Sequence, residues 1–376
     1  MNTPAKRTRI ACAHLYDDFS GSGKVFAHAL TELAASGAEL RIVVGSAGKS
    51  GFIRAAHPAE TIFYRFRENR LLLLLLFGFA QLQLFFRILK LCLFWRADIV
   101  YANTVLTPGA TLAARLCGRR VVVHMHEVGL GSRLLFRTLL GVTRRTAHRF
   151  LCVSKYVRDA LTLPGDRAVV VYNSLSQPEW QLALKTASTH SESAPFKVFM
   201  ACSLKWYKGI DSFLELARRE ALKPASTPRV LRFQLALNCT EAEWREFAGT
   251  AALPPNVDIV FRPPAIYPLY GEASVVLNLS HPEGWIETFG MTLLEAMASA
   301  VPVICPTVGG CTELFEDGDG GWRISARDLP ALEAVIDRLR RDPAYLLRCR
   351  AAASANAQRF DPAGFATALR AAVLSS

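Results

Sequence analysis

Short runs of branched and aromatic residues, separated by stretches with helical spacing, recur along nearly the whole chain. "RIACAHLY" (9–16), "LRIVVGS", "ADIVYANT" (97–104), "RRVVVHMHE" (119–127), "RFLCVS" (149–154) and "AVVVYNS" (168–174) are such runs in the first half. They are too short for most helices and too continuously apolar for strands with one wet face. They read as strands covered on both sides by helices such as "VFAHALTELAASG" (25–37), which stops at Gly37. The rhythm breaks at "TASTHSESAP" (186–195), a small, polar stretch of linker composition. It resumes with "FKVFMACS", "GIDSFLELARRE", "LRFQLALN", "VDIVFR" (257–262), "ASVVLNLS" (273–280) and "VPVICP" (301–306). A rhythm played twice restricts the chain to two doubly wound α/β domains. The expected division is 1–180, a linker over 181–195, a second domain over 196–355 and a closing helix within 356–376. Ligands on such sheets lie beyond the carboxyl ends of the strands, so two facing sheets would place a site in the cleft between them.

Charge separates the halves. Residues 1–180 hold 24 Lys and Arg against 11 Asp and Glu, a balance of +13, while residues 181–376 hold 20 against 21. The basic half suits an anionic partner: a membrane surface, a nucleic acid or a phosphorylated acceptor. Nine cysteines are scattered without a CxxC pair, which predicts reduced, mostly buried thiols. The amino terminus has no long apolar core after its basic start, so a cleaved signal peptide is not expected.

Residues 62–96 stand apart. The apolar run from Leu71 to Phe86 is interrupted by Gln81 and Gln83 and falls short of the ~20 residues of a spanning helix. Arg65, Arg67, Arg70, Arg87, Lys90 and Arg96 flank it, with Glu68 the lone acid. A helix in the membrane interface, a buried helix of the first domain and a true span are the three readings of this segment.

The densest chemistry lies in "HPEGWIETFGMTLLEA" (281–296). A helix is expected from Met291, with Glu287 in the loop before it and Glu295 about one and a half turns inside it. A helix start offers unpaired amides and partial positive charge to an anion. Gly290 would let a ligand approach the backbone. Glu295 could take both hydroxyls of a vicinal diol, and Glu287 could take sugar hydroxyls. Diol, diphosphate and sugar together describe a nucleotide sugar. By itself Glu295 could equally be a first-turn carboxylate that favours the helix dipole.

The wider stretch 281–322 resembles the donor-binding segment of family 4 retaining glycosyltransferases, which have the GT-B fold. Glu287 and Glu295 fit the family's Glu-x7-Glu pattern, and "EAMASAVPVI", "GGCTE" (309–313) and "DGDGG" (317–321) follow as they do in that family. Ala300 stands where the family usually has glycine. The resemblance implies that Glu295 holds the ribose diol and Glu287 the donor sugar, while Phe289, Gly290 and Met291 present backbone. "CSLKWYKGIDSF" (202–213) is similar to the family's diphosphate-holding turn: Lys208 matches, Ser203 stands where an arginine is usual, and Lys205 could supply the missing charge.

"DDFSGSGKVF" (17–26) resembles the glycine-bearing loop after the family's first strand, which implies that Gly21, Ser22 and Gly23 approach the diphosphate or acceptor. The spacing is not that of a P-loop. The family often has a histidine at the end of the strand "VVVHMHE". His126 fits that place, Glu127 is an acceptor-site candidate, and strand alternation puts His124 on the face of His126. No third ligand lies near this pair and no DxD-type metal motif stands where one would be expected, so metal independence and no cofactor are expected.

These features predict a hexosyltransferase that uses a nucleotide sugar and a glycan or lipid-linked acceptor, as in cell-surface polysaccharide or lipopolysaccharide synthesis. It would lie in the cytoplasm against the inner face of an anionic membrane. A sugar-nucleotide epimerase on the same fold and a membrane scaffold without catalysis are the alternatives. A nucleic-acid partner would leave the donor motif without a purpose and is not expected.

Overall fold

The computed structural model describes residues 7–48, 50–190, 195–223, 230–249 and 252–375. Seven strands form the first sheet: β1 (Arg9–His14), β2 (Glu39–Ser46), β3 (Glu60–Phe63), β4 (Ile99–Asn103), β5 (Arg120–Met125), β6 (Arg149–Cys152) and β7 (Ala168–Val170). Their order is β3-β2-β1-β4-β5-β6-β7, and every pairing is parallel. The order turns back between β1 and β4, which leaves the ends of β1, β4 and β5 adjacent: Ala13 pairs with Ala102 and Asn103 with His124. Helix Gly21–Ala35 buries Phe26, Leu30 and Leu33 against this sheet.

The second sheet has six strands: β8 (Phe196–Cys202), β9 (Leu231–Leu237), β10 (Val257–Phe261), β11 (Val275–Leu277), β12 (Val303–Cys305) and β13 (Gly321–Arg323). Their order, β10-β9-β8-β11-β12-β13, is again parallel throughout. Helix Ile210–Ala221 contributes Phe213 and Leu216 to its core, and helix Leu329–Arg341 contributes Leu332, Ile336 and Leu339.

The two compact units are residues 1–173 with 363–376, and residues 174–362. The closing helix Pro362–Leu374 places Phe365, Leu369 and Val373 in the core of the first unit, where Arg370 also pairs with Glu32. The expected linker is corrected at its start. Residues 177–187 are helical, and Trp180 and Ala183 are buried in the second unit. The cause is local: Ser176 and Glu179 form a capping box and Pro178 fits the first turn. Of the rest of that stretch, residues 191–194 lie outside the described residues.

Segment 62–96 is also redrawn. Ile62 and Phe63 complete the edge strand β3, and the helix spans Arg70–Leu93. Gln83 donates to the Phe63 carbonyl and accepts from its amide, 3.1 Å each, which closes part of a free sheet edge. Gln81 accepts from the Gly109 amide and donates to the Leu106 carbonyl, both at 3.0 Å. The two polar interruptions of the run thus fasten the helix to the first unit. Ala80, Leu84, Ile88 and Cys92 are its buried face. By length and composition the helix could cross a membrane, yet only 17% of its most apolar window is buried. The reading as a buried core helix is therefore set aside.

Candidate active site

The sites are built separately in each unit. In the second, β11 delivers Asn278 at its carboxyl end, the chain loops through Glu287, and helix Met291–Ala298 begins after Gly290. Gly290 sits at φ +95°, a left-handed turn that swings the chain into the helix, and its carbonyl accepts from Leu293 and Leu294. The Glu287 carbonyl accepts from the Gly310 amide at 2.9 Å. A Cβ on Gly309 would lie 2.4 Å from that same oxygen, so the Gly-Gly turn exists because backbone meets backbone there. The two sequence motifs are one packed unit.

Lys208 comes from a short 3-10 turn after β8, Trp206–Lys208. Its Nζ donates to Glu287 Oε2 at 3.0 Å, and Asn278 Nδ2 donates to the same oxygen at 3.2 Å. Both side chains of the ion pair are under one-fifth exposed. Burial would push the Glu287 carboxyl up, but Lys208 and Asn278 outweigh it and hold it below its ordinary value. Burial would likewise lower the Lys208 ammonium, and Glu287 outweighs it, so Lys208 is held above its ordinary value. A cation and an anion thus remain charged in a confined place.

Glu295 is buried, and Tyr270 donates to its Oε2 at 2.8 Å. Burial first, then Glu295, keeps the Tyr270 phenol well above its ordinary pKa, so the phenol stays a donor. Tyr267 is raised for the same two reasons, and its buried hydroxyl has no hydrogen-bond partner among the described residues. Phe289 is buried with its ring edge-on to Phe360 at 5.7 Å, and Met291 is half-buried at the helix start. Ser203 is half-buried. Lys205 is exposed and makes no ion pair among the described residues, so the turn brings Lys208 to Glu287 without Lys205.

In the first unit, Gly21, Ser22 and Gly23 form the first turn of helix Gly21–Ala35 rather than a loop. The helix closes at once: the Lys24 amide bonds the Ser20 carbonyl at 3.0 Å. His126 and Glu127 follow β5 and are both buried. The His124 and His126 rings lie 4.3 Å apart, as strand alternation requires. Sequence reading missed two neighbours, His14 and Asn103, at the ends of β1 and β4. Asn103 Nδ2 lies 3.0 Å from His14 Nδ1 and 3.3 Å from the Ser22 carbonyl. A carbonyl can only accept, so the amide presents its NH2 there, His14 Nδ1 accepts and the His14 proton sits on Nε2. Tyr101 Oη lies 2.8 Å from His124 Nδ1, a contact in which either atom can donate.

The Nε2 atoms of His14, His124 and His126, and Glu127 Oε2, are buried without hydrogen-bond partners among the described residues. Burial lowers His14 to about 4 and His124 to about 3, and takes His126 well below its ordinary value, with His124 and His14 adding to that effect. Burial also pushes Glu127 up to about 7, against bonds from backbone amides. The only advance signal for His14 and Asn103 was their position at strand ends, which the parallel order converts into proximity.

The first unit matches the description "Glycosyltransferase Family 4" over residues 19–176, and the second matches "Glycosyl transferases group 1" over residues 195–342. The chain belongs to glycosyltransferase family 4. It is 25% identical over 389 residues to glycogen synthase from Mycobacterium tuberculosis, covering 93% of this chain and 89% of that protein. Over 84 residues it is 37% identical to D-inositol 3-phosphate glycosyltransferase from Streptomyces griseus, covering 22% of this chain and 18% of that one. Among solved structures, the Anabaena protein Alr3699/HepE in complex with UDP and glucose superposes with a TM-score of 0.72 at 19% identity, covering 96% of this chain and 98% of that one. Such a likeness establishes the fold of this family 4 chain as GT-B, two Rossmann-like parallel sheets of seven and six strands.

Proposed function

We propose that this family 4 chain moves a hexose-type sugar from a nucleotide diphosphate sugar to a glycan or lipid-linked acceptor, with retention at the anomeric carbon. The observation that carries the reading is the Lys208–Glu287–Asn278 group beside a helix start whose fifth residue, Glu295, is held by Tyr270. Glu295 would take the ribose diol, the turn at Gly290 and Met291 the diphosphate, and Glu287 the sugar hydroxyls. As the bond from the anomeric carbon to phosphate oxygen breaks, negative charge grows on the diphosphate, and Lys208 offsets it. The acceptor oxygen bonds the anomeric carbon on the same face, and its proton passes to the departing phosphate oxygen. No side-chain base takes part: Glu287 and the neutral His126 orient the reactants. Lys208 supplies the counter-charge, so the reaction needs no metal. Glu127 and the first turn at Gly21, Ser22 and Gly23 would meet the acceptor side. The HepE complexes with UDP and with UDP-glucose support a nucleotide sugar as donor.

The proposed setting is the cytoplasmic face of a membrane, in cell-surface polysaccharide or lipopolysaccharide synthesis. Helix Arg70–Leu93 supports it: Leu71, Leu75, Phe79, Leu82 and Phe86 form one outward stripe, each more than half exposed. Arg70, Arg87 and Lys90 lie on the same helix and would sit at headgroup phosphates while the stripe enters the acyl boundary. With Gln81 and Gln83 bound to the first unit, the helix would lie flat.

A thermal-shift screen against UDP-, GDP-, ADP- and dTDP-sugars tests the donor site. Saturation at 100 times the dissociation constant raises stability by ~2.7 kcal/mol, a shift of a few degrees. One base class should give that shift, Glu295→Ala should lose it, and product NMR should show the donor's anomeric configuration kept in EDTA. No shift with any donor, and no product, would favour a scaffold that has lost catalysis, to which Ser203 in place of the usual arginine would then be the clue.

A further inference from the structure

Helices Ile210–Ala221 and Glu241–Ala248 flank a cavity of about 320 Å³ in the second unit. Trp244 forms its buried floor, Phe247 and Trp206 stand at its rim, Leu214 lines it, and Asp211 and Arg218 supply its polar groups. Trp206 is 61% exposed and Phe247 45%. Large aromatic planes left facing water have a purpose more often in binding than in folding. Trp206 lies two residues before Lys208. On its other side its ring is edge-on to Tyr207 at 5.7 Å, and Tyr207 stacks on Trp285 at 6.1 Å. Trp285 lies two residues before Glu287 and is also exposed, at 38%. The two segments are tied together: the Tyr207 carbonyl accepts from the His281 amide at 2.7 Å, and His281 Nε2 meets Asp211 Oδ1 at 3.2 Å.

We propose that this groove is a second saccharide site, separate from the donor site, that takes pyranose rings of a glycan chain. A pyranose has an apolar C–H face and a rim of hydroxyls. The C–H face matches the free faces of Trp206 and Phe247. The hydroxyls match the mostly exposed carboxylate of Asp211, which accepts, and the Arg218 guanidinium, which donates although Glu215 already holds one of its N–H groups. Asp211 and Arg218 already meet His281 and Glu215, but a purely apolar occupant would cover their remaining hydrogen-bonding capacity without replacing it. An anionic ligand would meet the Asp211 carboxylate. The choice of sugar as ligand rests on the reading of the chain as a sugar-transferring enzyme, but groove binding is measured independently of donor binding.

The test is saturation-transfer difference NMR on the full chain with maltohexaose, cellohexaose and mannohexaose at millimolar concentration. Stacking reads the face of the ring rather than the linkage, so at least one hexasaccharide should give transfer to its ring protons. Phe247→Ser and Trp206→Ala should each weaken it by roughly tenfold, the worth of one aromatic contact. Phe247→Ser, far along the chain from Lys208, should keep the nucleotide-sugar thermal shift, which shows that it has folded. The proposal is overturned if no hexasaccharide gives transfer, or if the signal survives both substitutions. It is also overturned if anilinonaphthalene sulfonate fills the groove and no saccharide displaces it, which would mark a seat for an apolar polypeptide or lipid. Saccharide transfer without any donor-induced shift would keep this site and remove the donor reading instead.

Discussion

Near the end of β11 the carboxylates have charged or donating partners; at the ends of β1, β4 and β5 buried ring nitrogens and a carboxyl oxygen are left over among the described residues. Glu287 has Lys208 and Asn278, and Glu295 has Tyr270. Three imidazoles and the Glu127 carboxyl are buried with ring nitrogens or an oxygen unmatched among the described residues. Both sheets are parallel and both place these groups at carboxyl edges, so the fold does not explain the difference. Charge does. Lys208 and Glu287 are charged, and a confined cation is stable only beside an anion. The imidazoles, by contrast, are held neutral by burial and need no counter-ion.

The sharpest way to break this comparison is to remove the cation. Lys208→Met should reduce turnover by ~10²–10³-fold, the usual loss for one charge-stabilising donor, while Lys205→Met should cost far less. Steady-state kinetics on both variants decide it; equal losses would mean that exposure and pairing do not rank these lysines. In the first unit, His126→Asn should reduce turnover by about ten- to a hundredfold through lost orientation, with the nucleotide-sugar thermal shift intact.

Stability against pH should separate the two glutamates by sign. Glu127 is raised in the folded state, so its contribution is present below its ordinary carboxyl value and is lost as pH rises towards about 7. That loss is at most about 3 kcal/mol, and Glu127→Gln should remove it. Glu287 is lowered, so its contribution is present above its ordinary value and is lost as pH falls through the folded one. His14 and His124, lowered to about 4 and 3, add to the loss on the acid side as pH falls below 6.5. Melting curves from pH 2 to 8 on wild type, Glu127→Gln and Glu287→Gln would show opposite slopes, Glu127 between its ordinary value and about 7 and Glu287 below its ordinary value, or refute the assignment.

Tyr270→Phe is a smaller probe: it removes one hydrogen bond to Glu295 and should cost ~1–2 kcal/mol in stability, with weaker donor binding by calorimetry. The smallest effect on stability should come from the exposed helix. Phe79→Asp with Leu82→Asp should lower stability by no more than ~1–1.5 kcal/mol, the helix-propensity cost of two Asp residues, since both side chains are more than half exposed. The same double substitution should abolish sedimentation with phosphatidylglycerol vesicles. Retained sedimentation would place the membrane contact elsewhere.

Much of this was readable in the chain. The repeated strand rhythm gave every strand of the two sheets except β3 and β13, and the apolar stripe Leu293, Leu294 and Met297 gave a helix that begins at Met291, because periodicity is a local property. The boundaries were less legible. The composition after Thr186 masked a helix that Ser176, Pro178 and Glu179 start, and Ile62 and Phe63 belonged to a strand whose edge is closed by Gln83, twenty residues later. Gln81 and Gln83 signalled polarity in the sequence; their partners Leu106, Gly109 and Phe63 are set by packing.

By itself the sequence determined that this is a two-unit parallel α/β chain of glycosyltransferase family 4 with a carboxylate pair around a helix start. Those features depend on side-chain period, on glycine positions and on residue types at fixed spacing. Tertiary structure alone decided that Lys208 meets Glu287 across 79 residues, that Asn103 fixes the tautomer of His14 across 89, and that Tyr270 reaches Glu295. Strand order brings such residues together, and strand order follows from burying both faces of each sheet, a condition satisfied by the whole chain and by no short stretch of it.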